Sequence, residues 1–186
     1  MNATLRGWLA PLLLLPIAAC GDDDASGPDR LDPVEVAGVY SVCQLAFVPE
    51  GGLASVSIPE VAFETEASGV QLPLLRVDAS RQVQLAYTPK GAFVGQDLRG
   101  TFVVAGQSDV TVSFDDRGTV RRAALLLPDR LTLRFTASPQ TLASATETSY
   151  TVPRADYARL TGQSETNLAE QIRGRLTASF RAGGCG

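Results

Sequence analysis

The chain has 186 residues, of which 45% are hydrophobic, so it is long and apolar enough for one domain with a buried core. Its formal net charge is −4 and its cations are scattered along the chain, which gives no footprint for nucleic-acid binding. It contains no histidine, so the usual general base near neutral pH and the commonest metal ligand are both absent.

The first twenty residues combine a charged start, a short apolar core and a cysteine. Arg6 precedes the apolar stretch Trp8–Ala19, which two prolines interrupt and which is shorter than the roughly twenty residues of a membrane-crossing helix. The segment, with its box Ile17–Cys20, resembles a bacterial lipoprotein signal. That resemblance implies that residues 1–19 are removed and that Cys20 becomes the first residue, carrying acyl chains such as palmitate. An ordinary secretory signal ending near a cysteine is the alternative.

Residues 20–35 are predicted to be the lipidated cysteine and a flexible acidic tether, because turn-forming residues and like charges follow Cys20. The aspartates at 22–24 could bind calcium, but without converging carbonyl groups an exposed acidic run is usually solvated. The expected partner is therefore the membrane, reached through N-terminal acyl chains. Gly21 stands where aspartate retains many lipoproteins at the inner membrane, so the resemblance favours an outer-membrane location in the cell envelope.

Once Cys20 is lipidated, Cys43 and Cys185 remain. In an oxidising envelope compartment they are expected to form one disulfide, which would join the first strand of the domain to its last residues. Two unpaired buried thiols are the alternative. Neither cysteine has a second cysteine nearby, so no metal site is predicted.

Apolar and polar residues alternate with a period of two along most of the remaining chain, which predicts half-buried β-strands. The clearest case is Ile172–Arg181, in which apolar or small residues alternate with polar ones. The first strand, about Val39–Val48, alternates less cleanly. Its predicted faces are Val39, Cys43, Leu45 and Phe47 on one side and Tyr40, Val42, Gln44 and Ala46 on the other.

Turn signals at residues 78–81, 106–109, 115–118 and 128–130 separate these strands, which predicts an antiparallel meander. Closure of such a sheet removes its exposed edges, so residues 36–186 are expected to form an all-β barrel, closed or nearly closed, of about eight to ten strands. Pro153–Gly162 predicts a short helix before the last strand, with a further turn near 166–171; an irregular crossover is the alternative.

This outline resembles the lipocalins, single meander barrels with a Gly-x-Trp signature on the first strand. Gly38-Val39-Tyr40 lies where that signature would fall, with tyrosine in place of tryptophan. The resemblance implies a basic residue of the last strand, Arg173 or Arg175, packed over Tyr40.

No catalytic motif is present. Both Gly-x-Ser sequences lack the closing glycine of a nucleophile elbow, and no phosphate-binding loop occurs. The obvious carboxylate pair, Asp115-Asp116, falls in a predicted turn, where these residues are favoured for backbone reasons. The chain is therefore not expected to be an enzyme or to hold a cofactor.

Two functions remain open. The barrel could bind a small apolar or amphiphilic ligand, with room left by inward Gly174, Ala178 and Ala46. Alternatively, large side chains such as Phe135 and Phe180 fill it, and it acts as a structural or interaction module of the envelope. In that case the long stretch 136–149 is a candidate functional loop.

Overall fold

The computed structural model describes residues 30–65, 72–115, 120–145 and 149–185. These ranges contain ten β-strands and four short α-helices. The strands are β1 (Gly38–Pro49), β2 (Val56–Ser57), β3 (Leu74–Val77), β4 (Gln82–Tyr87), β5 (Gln96–Ala105), β6 (Asp109–Phe114), β7 (Arg130–Ala137), β8 (Gln140–Ser144), β9 (Ser149–Pro153) and β10 (Gln171–Ala182). The helices are α1 (Pro33–Val36), α2 (Ile58–Ala62), α3 (Val120–Ala124) and α4 (Arg154–Thr161).

Within the described residues, eight of these strands close into an antiparallel barrel in the order β1-β3-β4-β5-β6-β7-β8-β10. The ring closes because β10 pairs back with β1 along nearly its whole length. The two remaining strands pair with the long strands further along their edges, β2 with β1 beyond β3 and β9 with β10 beyond β8. The predicted all-β meander barrel is therefore confirmed.

Alternation of side chains places one face of each strand inside the barrel. In β5 every second residue from Leu98 to Val104 is buried, and Arg99, Thr101 and Val103 between them are exposed. The same pattern runs along β10 from Ile172 to Phe180. Burying one face of each strand in a shared interior is the main stabilising contribution of this architecture.

The predicted faces of β1 are wrong for its first half. Tyr40 is fully buried, whereas Val39 is 54% exposed. The register of β1 against β10 shifts between Val42 and Gln44, which places a β-bulge at Cys43. A bulge adds one residue and resets the alternation, so Tyr40 and Leu45 both point inward although they are five positions apart.

β1 and β10 extend beyond the rest of the barrel and build a second, smaller core. Phe47 of β1 packs edge-on against the rings of Tyr150 and Tyr157. The same cluster includes Val152 of β9 and Ile172 of β10. α4 covers this core, and the side of the molecule where it lies is called the α4 end below.

The opposite side, called the α1 end, is closed by the segment before β1. Leu31 and Val36 belong to the barrel core, and the amide of Leu31 donates to the carbonyl of Gly106 at 3.3 Å. The side-chain amide of Gln140 donates to the carbonyls of Glu35 and Ala37. Residues 31–35, which the sequence assigned to the tether, thus pack against the barrel.

α4 confirms the predicted helix before the last strand: Pro153 is its N-cap and Gly162 ends it in the left-handed conformation. The further turn is a 3₁₀ turn, Glu165–Asn167. The long loop predicted over residues 136–149 is wrong for residues 136–144, which form a tight hairpin between β7 and β8. β8 was not predicted from the sequence because Leu142 is its single large apolar residue.

Candidate functional site

The barrel interior is filled by its own side chains. A side chain facing an internal cavity large enough for water keeps accessible area on that side. Most of the large inward residues are instead at most 2% exposed, and Phe135 is the most exposed of them at 8%. Those at or below 2% include Tyr40, Leu45, Leu75, Leu85, Leu98, Phe102 and Phe180. An eight-stranded barrel can be filled by side chains or can hold one small ligand, and the burial of these residues matches the filled kind.

Gly174 does not leave room for a ligand. A Cβ atom placed on it would lie 2.5 Å from Cζ of Phe47 and 2.6 Å from the carbonyl oxygen of Val48. The missing side chain therefore admits the Phe47 ring against the strand. Ala178 is buried in the barrel core as predicted, whereas Ala46 is only half-buried.

Gly38 and Tyr40, the signature positions, lie at the α1 end. The Tyr40 hydroxyl donates to the carbonyl of Val36 at 2.6 Å and so ties β1 to α1. Burial raises the pKa of Tyr40 to about 12, and a hydrogen bond with Gln140 partly opposes that rise. Both residues thus close one end of the barrel.

The expected arginine over Tyr40 is not found at Arg173 or Arg175, so this prediction is wrong. Antiparallel pairing sets Tyr40 opposite Ala182, at the far end of β10 from both arginines. Both are also exposed on the outer face, and Arg173 lies 3.4 Å from a carboxylate oxygen of Glu50.

The predicted disulfide between Cys43 and Cys185 is present, with Cα atoms 5.2 Å apart. Gly183 and Gly184, both at positive φ, reverse the chain after β10 and bring Cys185 back to the bulge at Cys43. The bridge therefore fastens the last residues to the strand that closes the barrel.

Several predicted features lie outside the described residues, among them the signal 1–19, Cys20, most of the tether and Asp116. None of the helices in the described ranges is long and apolar enough to cross a membrane. The same ranges contain no cluster of three or more metal-ligating side chains.

An open hollow of about 570 Å³ lies on the outer wall of the barrel. Its centre is a row of residues paired across four neighbouring strands: Val39 of β1, Arg76 of β3, Gln84 of β4 and Arg99 of β5. We call it the arginine hollow. Neighbouring strands are about 4.8 Å apart, so the two arginines start about 10 Å from each other with Gln84 between them.

The polar groups of this row are weakly engaged. The side chains of Arg76 and Gln84 make no ion pair or hydrogen bond with the residues that the structure describes. The guanidinium of Arg99 lies 3.9 Å from a carboxylate oxygen of Asp97, and its side chain is 75% exposed. A pair at this distance whose arginine is exposed contributes little to stability, so it leaves Arg99 available to a ligand.

Cations in two other hollows have structural partners. In one, Arg122 donates to the carbonyl of Leu127 at 2.8 Å and forms an ion pair with Asp129. In the other, Lys90 donates to the carbonyl of Glu60 at 2.7 Å, and Arg159 donates to the carbonyl of Ala124 at 2.6 Å. These cations hold loops and helix ends in place.

Sequence reasoning missed the arginine hollow. Arg76 and Arg99 are 23 positions apart, and their alignment depends on the register of two hairpins. The turn at residues 78–81 was predicted, but the longer connection between β4 and β5 gave no signal that would fix the register. The one available indication of this site was that each arginine occupies an outward position on its strand.

Comparison of the chain with protein-family models, with curated proteins and with solved structures finds no match in any of the three.

Proposed function

We propose that the chain is a lipid-anchored, non-enzymatic protein of the cell envelope whose barrel is a solid scaffold that acts through its outer wall. The observation that carries the proposal is the filled interior. Most of the large inward side chains from the strands of the ring are at most 2% exposed, and Phe47 occupies the space beside Gly174.

The anchor part of the proposal rests on the sequence. Ile17–Cys20 supplies the lipidation box, and the polar run after it supplies a spacer. The disulfide supports an oxidising compartment, because such bridges are rare in proteins of reducing compartments.

The anchor is tested by fractionating cells that express the full chain or its Cys20→Ala variant. The wild-type protein is expected in the membrane fraction and to incorporate labelled palmitate, whereas the variant should incorporate none. A variant that still incorporates palmitate, or a wild-type protein that never does, would refute lipidation at Cys20.

The scaffold part is tested by native mass spectrometry of the protein purified from its host, combined with titration of fluorescent fatty acids. The expected result is one species at the mass of the polypeptide and its anchor, with no saturable fatty-acid binding. A stoichiometric co-purifying lipid whose release leaves an empty barrel would instead establish the interior ligand site.

A further inference from the structure

We infer that the arginine hollow binds the phosphate groups of an anionic lipid surface and holds the barrel wall against the membrane that carries the anchor. This inference deepens the proposed function and depends on it only for the identity of that membrane. Its ligand class, a phosphate-bearing amphiphile in a bilayer, follows from the chemistry of the row.

The donors suit a phosphate group. Two guanidinium groups flank the side-chain amide of Gln84, and all three are N–H donors. The one carboxylate that the described residues place in the lining, that of Asp78, accepts a hydrogen bond from the amide of Ser80. Arginine side chains are long enough to converge from about 10 Å onto one phosphate between them. Among the described residues, Arg76 has no competing partner, and Arg99 has only the half-buried carboxylate of Asp97 at 3.9 Å.

An apolar border makes the hollow suited to an amphiphile. Val39, next to Arg76 in the row, is 54% exposed, and Gly38 beside it has no side chain. A lipid headgroup can therefore place its phosphate on the arginines while less polar atoms contact Val39.

The N-terminal segment joins the barrel at a point from which the arginine hollow can reach the membrane. The guanidinium of Arg30 donates to the carbonyl of Val104, five residues along β5 from Arg99. That separation corresponds to about 17 Å along the strand. Cys20 lies ten positions before Arg30 and so at most about 36 Å away. An acylated Cys20 and the arginine hollow can thus reach the same bilayer.

Weak binding is sufficient at this site. Each arginine close to an anionic surface strengthens binding about five-fold, so two of them give a modest, salt-sensitive affinity. A protein already tethered to the bilayer has a high effective concentration at its surface, and a modest affinity then fixes its orientation.

The test uses the mature chain, residues 20–186, with Cys20→Ala so that no acyl group contributes. Sedimentation with phosphatidylcholine vesicles is compared with sedimentation on vesicles that also contain phosphatidylglycerol, at low and high ionic strength. The double variant Arg76→Gln/Arg99→Gln is compared with Arg130→Gln/Arg134→Gln, which removes the same charge from the outer face of β7. Circular dichroism and an intact disulfide verify that each variant is folded.

We expect binding only to the anionic vesicles, weakened about 25-fold in the Arg76/Arg99 variant and nearly unchanged in the β7 variant. Equal losses in the two variants, or no preference for anionic vesicles, would overturn the inference. Displacement by millimolar inorganic phosphate would also overturn it, because the site would then bind a free anion. The anchor is tested separately by palmitate incorporation at Cys20, so either idea can fail alone.

Discussion

Gly174 marks the point where the barrel core meets the second core, because its missing side chain admits the ring of Phe47. A methyl group there would meet both that ring and the carbonyl oxygen of Val48, and the backbone atom cannot move without disturbing the pairing of β1 with β10. Gly174 is thus a packing residue.

We predict that Gly174→Ala destabilises the protein by about 1–3 kcal/mol through overpacking. The measurement is the urea midpoint at constant m-value. Ser179→Ala, on the outer face of the same strand, is the matched control and should change stability by less than about 0.5 kcal/mol. Wild-type stability in Gly174→Ala would show that Phe47 can yield, and would reopen the question of space inside the barrel.

The ionisation of the Tyr40 hydroxyl contributes to the pH dependence of stability. Its pKa is about 12 in the folded protein, because burial disfavours the phenolate, and about 10 in an unfolded chain. Since the folded pKa is the higher one, the stability linked to this proton is fully present below about pH 10. It is lost as the pH rises through about 12.

We predict that Tyr40→Phe costs about 1 kcal/mol at neutral pH, where the hydrogen bond to Val36 is lost. It should also make stability fall less steeply above pH 10 than in the wild-type protein. Burial raises the pKa of Tyr150 and Tyr157 as well, so some decline should persist in the variant. Urea unfolding across this pH range measures both effects, and parallel curves for the two proteins would contradict the assignment to Tyr40.

At the scale of elements, the sequence predicted the parts whose local signals agree. The turn at residues 78–81 is one example: the carboxylate of Asp78 accepts a hydrogen bond from the amide of Ser80, which favours the turn before any tertiary contact forms. α4 is another, since proline precedes it and glycine ends it.

The predictions failed where the pairing of strands overrides the local sequence pattern. The bulge at Cys43 reversed the expected faces of the first half of β1, and no residue type requires it. β8 was not predicted because its sequence lacks the alternating apolar pattern that usually identifies a strand. Its pairing with β7 and β10 holds it in the sheet instead. The arginine hollow was missed for the same reason, since cross-strand register is a tertiary property.

The disulfide is the element-scale feature with the largest expected effect. It closes a loop of 142 positions, for which the chain-entropy model gives about 5 kcal/mol as an upper value. We predict that Cys43→Ser/Cys185→Ser unfolds with a free energy lower by about 2–5 kcal/mol and keeps its β-sheet circular dichroism, because β1 still pairs with β10. Reduction of the wild-type protein should reproduce that loss. A double variant as stable as the oxidised protein would show that the β1–β10 ladder alone closes the barrel.

At the scale of the whole molecule, the filled interior favours a barrel that serves as a scaffold over one that binds a ligand inside. Phe102 of β5 is 1% exposed and belongs to the barrel core, so replacing it by alanine should leave an apolar cavity inside the ring. Such cavities stay dry and take up small apolar molecules. Val103, its neighbour on the outer face, is 54% exposed and provides a control that creates no cavity.

We predict that Phe102→Ala loses about 3–5 kcal/mol of stability and that benzene restores part of it. Benzene should leave the wild-type protein and Val103→Ala unchanged, because in both the interior is already occupied. Thermal unfolding with and without benzene makes the comparison, and Phe102→Leu serves if the alanine variant does not fold. Stabilisation of the wild-type protein by benzene would mean that the ring contains usable space. The barrel would then be able to bind a ligand inside. The proposal of a scaffold that acts through its outer wall would be refuted, because it depends on a filled interior.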